Sequence, residues 1–204
     1  EQNRLEGYLF PDTYEFFVND TPENVLAKLL DNFEAKVDEE LLAQIDTLNA
    51  SLTEKMRAAG FSEEEIAANQ MDLHRVITVA SLIEKETDGT DQANIASVIY
   101  NRLQNTGETV GLLQIDAALL YGLPDHTGAI TNEDKATDTP YNLYLHKGLP
   151  PTPIANPGSA ALEAAMNPND TDYYFYALGT DGKHHFSRTL AEHNAFVGSS
   201  SYGG

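Results

Sequence analysis

The stretch DLHRVITVASLIEKET, residues 72–87, decides the fold. Turning each residue by about 100° around a helix axis gathers Leu73, Val76, Ile77, Val79, Ala80, Leu82 and Ile83 into one broad apolar arc. His74, Thr78, Ser81 and Lys85 fall outside it. Asp72 stands where an N-cap belongs, so the pattern predicts a helix over 72–87 with one face on a core. Glu84 lies one turn after Ala80 and two turns after Ile77, inside the arc, and Glu86 lies at its opposite margin. A carboxyl on a core-facing stripe loses solvation, which favours the protonated form that a general acid needs. A plainer account fits the same positions. Both glutamates cluster where the stripe frays into solvent, or they pair with Arg75, Arg102 or Lys85, as carboxylates near a core commonly do. Helix geometry does not choose between Glu84 and Glu86.

Working outward, a second helix is predicted over about residues 91–104, with Ile95, Val98, Ile99 and Leu103 on one side. Upstream, Thr21 followed by Pro22 reads as an N-cap with proline in the first helical position, and Val25, Leu26, Leu29, Leu30 and Phe33 continue at helical spacing. Residues 38–69 read as two or three shorter acidic helices, broken at Gly60-Phe61 and restarted by a capping box from Ser62 to Glu65. Ahead of them, LEGYLFPDTYEFFV alternates aromatic and polar residues around Pro11-Asp12, which predicts two short strands or extended segments with a turn. Beyond Gly107 the texture changes to Gly, Pro, Asn and Tyr, and only short helices fit, near residues 114–121 and 159–166. Long irregular segments of this kind commonly shape a binding groove. A hairpin around Thr180-Asp181-Gly182 and a last helix boxed by Thr189 and Glu192 complete an α+β chain, helix-rich with small β-sheets and long groove-forming loops.

Composition narrows the function. The chain is 204 residues long and 41% hydrophobic, enough for one domain with a core. Against 12 Lys and Arg stand 32 Asp and Glu, and a formal charge of −20 repels phosphate backbones and anionic headgroups. Nucleic-acid and membrane-surface binding are therefore disfavoured. Cysteine is absent, which removes disulfides, thiolate zinc sites and a cysteine nucleophile. No apolar run approaches the roughly 20 residues that cross a bilayer, and the start at Glu1 without a leader suggests a piece trimmed from a longer protein, expected to be soluble. His184, His185 and His193 raise a zinc site, but adjacent strand residues point to opposite faces and no H-E-x-x-H pattern occurs, so no metal is expected.

Six blocks carry a resemblance that these physical readings do not supply: LEGYLFPDTYEF (5–16), ASLIEKET (80–87), ASVIYNRL (96–103), LLQIDAALLYGL (112–123), TPYNLYLHKGLPPTPIANPG (139–158) and HFSRTLAEHN (185–194). In this order they resemble the endolytic murein transglycosylase family, the YceG-like or MltG-type proteins. The resemblance implies cleavage of the β-1,4 bond between N-acetylmuramic acid and N-acetylglucosamine within peptidoglycan strands, leaving a 1,6-anhydro end. It implies that the first glutamate of the E-K-E segment, here Glu84, is both acid and base, with Glu86 a helper at most. It implies no cofactor, action at the extracytoplasmic face of the cell membrane, peptidoglycan synthases as partners, and a membrane anchor and small preceding subdomain outside this chain. One catalytic domain is expected over residues 1–197, with the acidic helical part at 21–70 inside it and a flexible tail at 198–204.

A glycan groove needs apolar faces for sugar rings and short polar groups for hydroxyls and acetamides. Gln114, Asp116, Tyr141, Asn142, Tyr144 and Asn156 lie in the irregular blocks and supply those types, with Gln114, Tyr141 and Asn142 foremost. The alternative for each is loop scaffolding, with Asn and Asp holding turns and Tyr packing its ring. Two rival functions stand beside the transglycosylase: a muramidase that admits water and leaves a reducing end, and a wall-binding module or synthase partner that keeps the groove without catalysis.

Overall fold

The computed structural model of the chain describes residues 4–87 and 89–203. Its elements run α1 (Pro22–Lys36), α2 (Glu39–Ala58), α3 (Glu63–Ala68), α4 (Leu73–Glu86), α5 (Gln92–Leu103), α6 (Asp116–Tyr121), α7 (Asn132–Ala136), α8 (Ser159–Met166), β1 (Phe175–Leu178), β2 (His184–Ser187) and α9 (Leu190–Val197). The architecture is α+β and mostly helical. The chain divides into two compact units, Glu1–Gly89 with Pro151–Asn167, and Thr90–Pro150 with Pro168–Gly204.

In the first unit the helix starts follow from side chains that accept orphan N–H groups. Thr21 caps α1 through the Asn24 N–H, Asp38 caps α2 through that of Leu41, and Asp72 caps α4 through that of Arg75. Ser62 and Glu65 form the predicted reciprocal box at α3. The region 38–69 thus resolves into one long helix and one short one. Asn49 ties the α3–α4 link to α2: its amide donates to the Met71 carbonyl at 2.8 Å and accepts the Met71 N–H at 2.7 Å.

α4 packs chiefly on α8 and also on α2. All eight residues from Val76 to Ile83 are buried, including Thr78 and Ser81, which the helical wheel places outside the apolar arc. Their hydroxyls are satisfied locally, Thr78 donating to the His74 carbonyl at 2.8 Å and Ser81 to that of Thr78 at 2.7 Å. A helix covered on all sides behaves as a core rod rather than as an amphipathic stripe. Each fully buried Ile or Leu in it contributes about 1.5–3 kcal/mol of hydrophobic stabilisation.

Of the two readings of residues 5–18, short strands or extended segments with a turn, the strands do not form. The chain turns at Leu5–Tyr8, where the Tyr8 N–H reaches the Leu5 carbonyl at 3.0 Å, and then runs on without a ladder partner. Two donors that a strand would have used, the N–H groups of Gly7 and Leu9, go instead to Asn156 Oδ1 at 2.8 and 3.0 Å. Gly7 has φ +91°, and a Cβ there would lie 2.6 Å from Pro153 Cγ and 2.7 Å from Ile77 Cγ2. Only glycine lets this turn settle against α4.

In the second unit, α5 and α9 pack on the antiparallel pair β1–β2, whose register sets Phe175 opposite Ser187, Tyr176 opposite Phe186, Ala177 opposite His185 and Leu178 opposite His184. This is the predicted hairpin and the one sheet among the described residues. Residues Ile95 to Arg102 of α5 are buried in sequence, and Asn101 donates to the carbonyls of Thr171 and Tyr173 at 2.8 and 2.9 Å. The tail read as flexible is hydrogen-bonded as far as Gly203, whose N–H donates to the Leu178 carbonyl at 2.9 Å, and Tyr202 bridges Gly179. α7 was not foreseen. It is capped by a Thr131–Asp134 box, in which aspartate does what glutamate usually does. Among the described residues no helix is long and apolar enough to cross a membrane.

Candidate active-site residues

Glu84 occupies the last turn of α4 and is exposed. The desolvation expected from its angular position is therefore absent. The physical reason is axial: cover ends at Ile83, and a residue on the core-facing side of a helix emerges when the elements packed on it stop short. Glu84 pairs with no cation among the described residues and instead lies where the apolar stripe frays into solvent, the other half of the plainer account. Its Oε2 accepts the Gly158 N–H at 3.1 Å. Gly158 is the N-cap residue of α8 and brings no side-chain cap of its own, so a carboxylate 74 positions away supplies the bond that a capping-box glutamate would make. Oε1 has no hydrogen bond among the described residues and stands open to an incoming group.

The segment PTPIANPG (151–158) is held to the same side of α4 in two places, by the Ile154 N–H on Ser81 Oγ at 3.0 Å and by Gly158 on Glu84. Ser81 and Glu84 are three residues apart and so share a helix face. The prolines stiffen this approach, and Pro153 and Pro157 are buried. Asn156, expected to bind substrate, instead spends its oxygen on Gly7 and Leu9 and turns its NH2 toward Glu6 Oε1 at 3.4 Å. It acts as a brace for the turn that abuts α4. Glu86, half-buried, is also in this unit.

Of the remaining candidates, all in the second unit, Asn142 is 0% exposed. Its amide donates to the carbonyls of Lys135 and Thr137 at 3.1 and 2.8 Å and accepts the Tyr144 N–H at 3.0 Å. It has no surface to offer a sugar and is corrected to a loop brace. Tyr141 is half-buried against Tyr121, with ring centroids 4.8 Å apart. Tyr144 donates its phenol to Asp116 Oδ1 at the start of α6 and carries Lys135 Nζ over its ring at 4.5 Å.

Gln114 is exposed between Leu113 and Ile115, which are 2% and 3% exposed. Its φ of +56° lies in the left-handed region, which costs a residue with a Cβ about 1–2 kcal/mol. The surroundings hold it there: its N–H donates to the Leu143 carbonyl at 3.0 Å, and its side-chain oxygen accepts from Arg102 Nη2. Arg102, only 7% exposed, also donates from Nε to the Leu112 carbonyl at 2.9 Å and lies over the Phe175 ring at 5.5 Å. Burial pushes its pKa down, with the phenols of Tyr176 and Tyr144 acting in the opposite sense. In the sequence Arg102 figures only as a partner for glutamate. The visible signal was an Asn-Arg pair closing an otherwise apolar helix.

The histidines do not converge. His184 Nδ1 lies 2.7 Å from Asp91 Oδ2, and His185 Nε2 lies 3.2 Å from Asp181 Oδ1. His193 stacks on Phe175 at a 5.3 Å centroid distance. Among the described residues no three His, Asp or Glu side chains are grouped so as to hold a metal ion.

A helix-rich α+β chain of this architecture has a solved counterpart. The crystal structure of the yceG-like protein lmo1499 from Listeria monocytogenes matches 94% of this chain and 55% of that one, with a TM-score of 0.72 and 35% identity. The chain belongs to the YceG-like family, whose pattern it matches over residues 1–199. It is 37% identical over 191 residues to the endolytic murein transglycosylase of Bacillus subtilis (strain 168), covering 93% of this chain and 46% of the relative. It is 33% identical over 201 residues to that of Streptococcus pneumoniae (serotype 2, strain D39), covering 95% of this chain and 32% of the relative. The chain thus spans less than half the length of these two relatives.

Proposed function

We propose that this chain carries the catalytic part of an endolytic peptidoglycan transglycosylase, with Glu84 as its single acid and base. The observation that carries the reading is the state of Glu84: an exposed carboxyl at the end of a buried rod, with Oε2 fixed by a backbone N–H and, among the described residues, no cationic partner and no hydrogen bond to Oε1. A group held by one oxygen keeps its direction while the other exchanges a proton. The relatives' shared name supports the substrate and the reaction class.

In the proposed cycle, protonated Glu84 donates through Oε1 to the glycosidic oxygen as the bond from the N-acetylmuramic acid C1 breaks. The N-acetylglucosamine side leaves as an alcohol, and the substrate's own acetamido group steadies the positive charge at C1. The Glu84 carboxylate then takes the proton of the muramyl C6 hydroxyl, whose oxygen closes on C1 to form the 1,6-anhydro ring. The proton lent at the first step is returned at the second, and no water is consumed. Ordinary glycosidases use a second carboxylate to activate water or to form a covalent adduct, and this route needs none. Glu86 is then an auxiliary group. Gln114, Tyr141, Asp116 and Tyr144 contribute glycan contacts, Asn142 braces the loop that carries Tyr141 and Tyr144, and Asn156 braces the Gly7 turn. Because the substrate lies outside the cytoplasmic membrane, the proposed site of action is extracytoplasmic, beside the synthases that lay down new strands.

Digestion of purified peptidoglycan by the chain and by Glu84→Gln, followed by mass spectrometry of the muropeptides, tests the reading. The parent is expected to release anhydro-ended products, and the variant to lose about 100-fold or more of that rate. Reducing ends in place of anhydro ends would make the enzyme a hydrolase. Undiminished release by Glu84→Gln would remove Glu84 from the chemistry.

A further inference from the structure

The Arg102–Gln114 contact fixes more than a loop. A guanidinium has donors only, so the Gln114 atom that faces Arg102 must be the oxygen, and the NH2 end must point the other way. An exposed glutamine ordinarily turns its amide freely and offers either a donor or an acceptor. This one sits on a backbone held in the left-handed region at φ +56°, with its N–H tied to Leu143 at 3.0 Å. The clamp is itself rigid, since Arg102 is buried, bonded to the Leu112 carbonyl and laid over Phe175. Among the described residues no protein acceptor takes the Gln114 NH2. A strained, exposed side chain whose polarity is dictated from beneath is what a binding surface requires and what a loop has no need of.

We propose that Arg102 is a positioning residue: by clamping the Gln114 oxygen it presents the Gln114 NH2 as a fixed donor to the carbonyl oxygen of an N-acetyl group on the glycan. The inference rests on the reading of the chain as one that engages N-acetylated strands. It adds a source of selectivity, because a sugar bearing a hydroxyl in place of the acetamide has no carbonyl to accept this bond. A site built to pair one polar group discriminates against the analogue that lacks it.

The test uses the uncharged probes tetra-N-acetylchitotetraose and cellotetraose. Binding of each is measured by calorimetry for the chain, Gln114→Glu and Arg102→Lys, alongside thermal midpoints and cleavage kinetics on peptidoglycan. The parent is expected to favour the acetylated tetramer. Gln114→Glu hands Arg102 a carboxylate partner, so its midpoint is expected at or above the parent's, while affinity for the acetylated tetramer falls tenfold or more. Arg102→Lys cannot hold Leu112 and Gln114 together, and its preference for the acetylated tetramer is expected to collapse toward one, with KM on strands raised several-fold and kcat within threefold. A merely structural contact would move midpoints and leave the preference alone. Should Arg102→Lys fail to fold, Gln114→Glu decides the matter, since it retains the arginine. A folded Gln114→Glu that binds the acetylated tetramer as the parent does overturns the inference, as does a parent that binds neither tetramer. A parent that binds through Gln114 yet releases nothing from peptidoglycan keeps this inference and sinks the enzyme reading. Cleavage that ignores both substitutions does the reverse.

Discussion

His193 shows how one side chain ties stability to pH. Its ring lies against Phe175 with Nδ1 buried and, among the described residues, unbonded, and burial together with the nearby Arg102 charge holds its pKa below the usual histidine range. As pH falls through about 6.5, the unfolded chain takes up a proton that the folded chain refuses, so stability is full above that value and is lost on acidification. The thermal midpoint is expected to drop between pH 7.5 and 5.5, and His193→Phe to flatten that slope; an unchanged slope would discount the histidine. Glu84 poses a different question at the same scale, because its carboxyl serves α8 as well as the proposed chemistry. Glu84→Gln keeps a carbonyl oxygen for the Gly158 N–H and is expected to melt close to the parent. Glu84→Ala abandons that donor and is expected to lose about 1 kcal/mol, a difference that a denaturant titration resolves.

Among elements, the turn near Gly7 and the 151–158 segment carry the clearest predictions. Gly7→Ala meets both a left-handed φ and a clash with Pro153 and Ile77, and about 2–4 kcal/mol of stability is expected to go. Asn156→Ala leaves two backbone donors without their acceptor, so a loss of about 2 kcal/mol is expected with KM little changed. A large rise in KM in a folded Asn156→Ala chain would restore the residue to substrate binding. The helices were legible because capping chemistry is local: Thr21-Pro22, Ser62 with Glu65, Asp72, and Thr189 with Glu192 all mark real helix starts. The aromatic alternation of residues 5–18 does not choose between strands and extended segments with a turn, because a strand needs a partner and the Gly7 N–H finds a side-chain acceptor about 150 positions away. Glu84 was legible as a candidate, but its exposure was not. A helical wheel reports angle around the axis and says nothing of where the covering elements end. The left-handed backbone at Gln114 was hidden for a related reason, since glutamine gives no hint of it and the stabilising contacts come from Arg102 and Leu143.

At the scale of the molecule, each compact unit is assembled from two separated stretches of chain, with changes of unit at 89/90, 150/151 and 167/168. Two of the three passages fall at proline, at Pro150-Pro151 and Asn167-Pro168. A fragment ending at residue 150 lacks α8, the principal packing partner of α4. It is therefore expected to show poor dispersion in a proton–nitrogen spectrum and no cooperative melting, and a well-dispersed spectrum would refute the dependence. The same connectivity bears on biosynthesis. A ribosome that has reached residue 150 of this chain has completed neither unit, and both stay unfinished until α8 and then the hairpin clear the exit tunnel. The two units consequently mature in close succession, each waiting on a stretch of chain that follows residue 150.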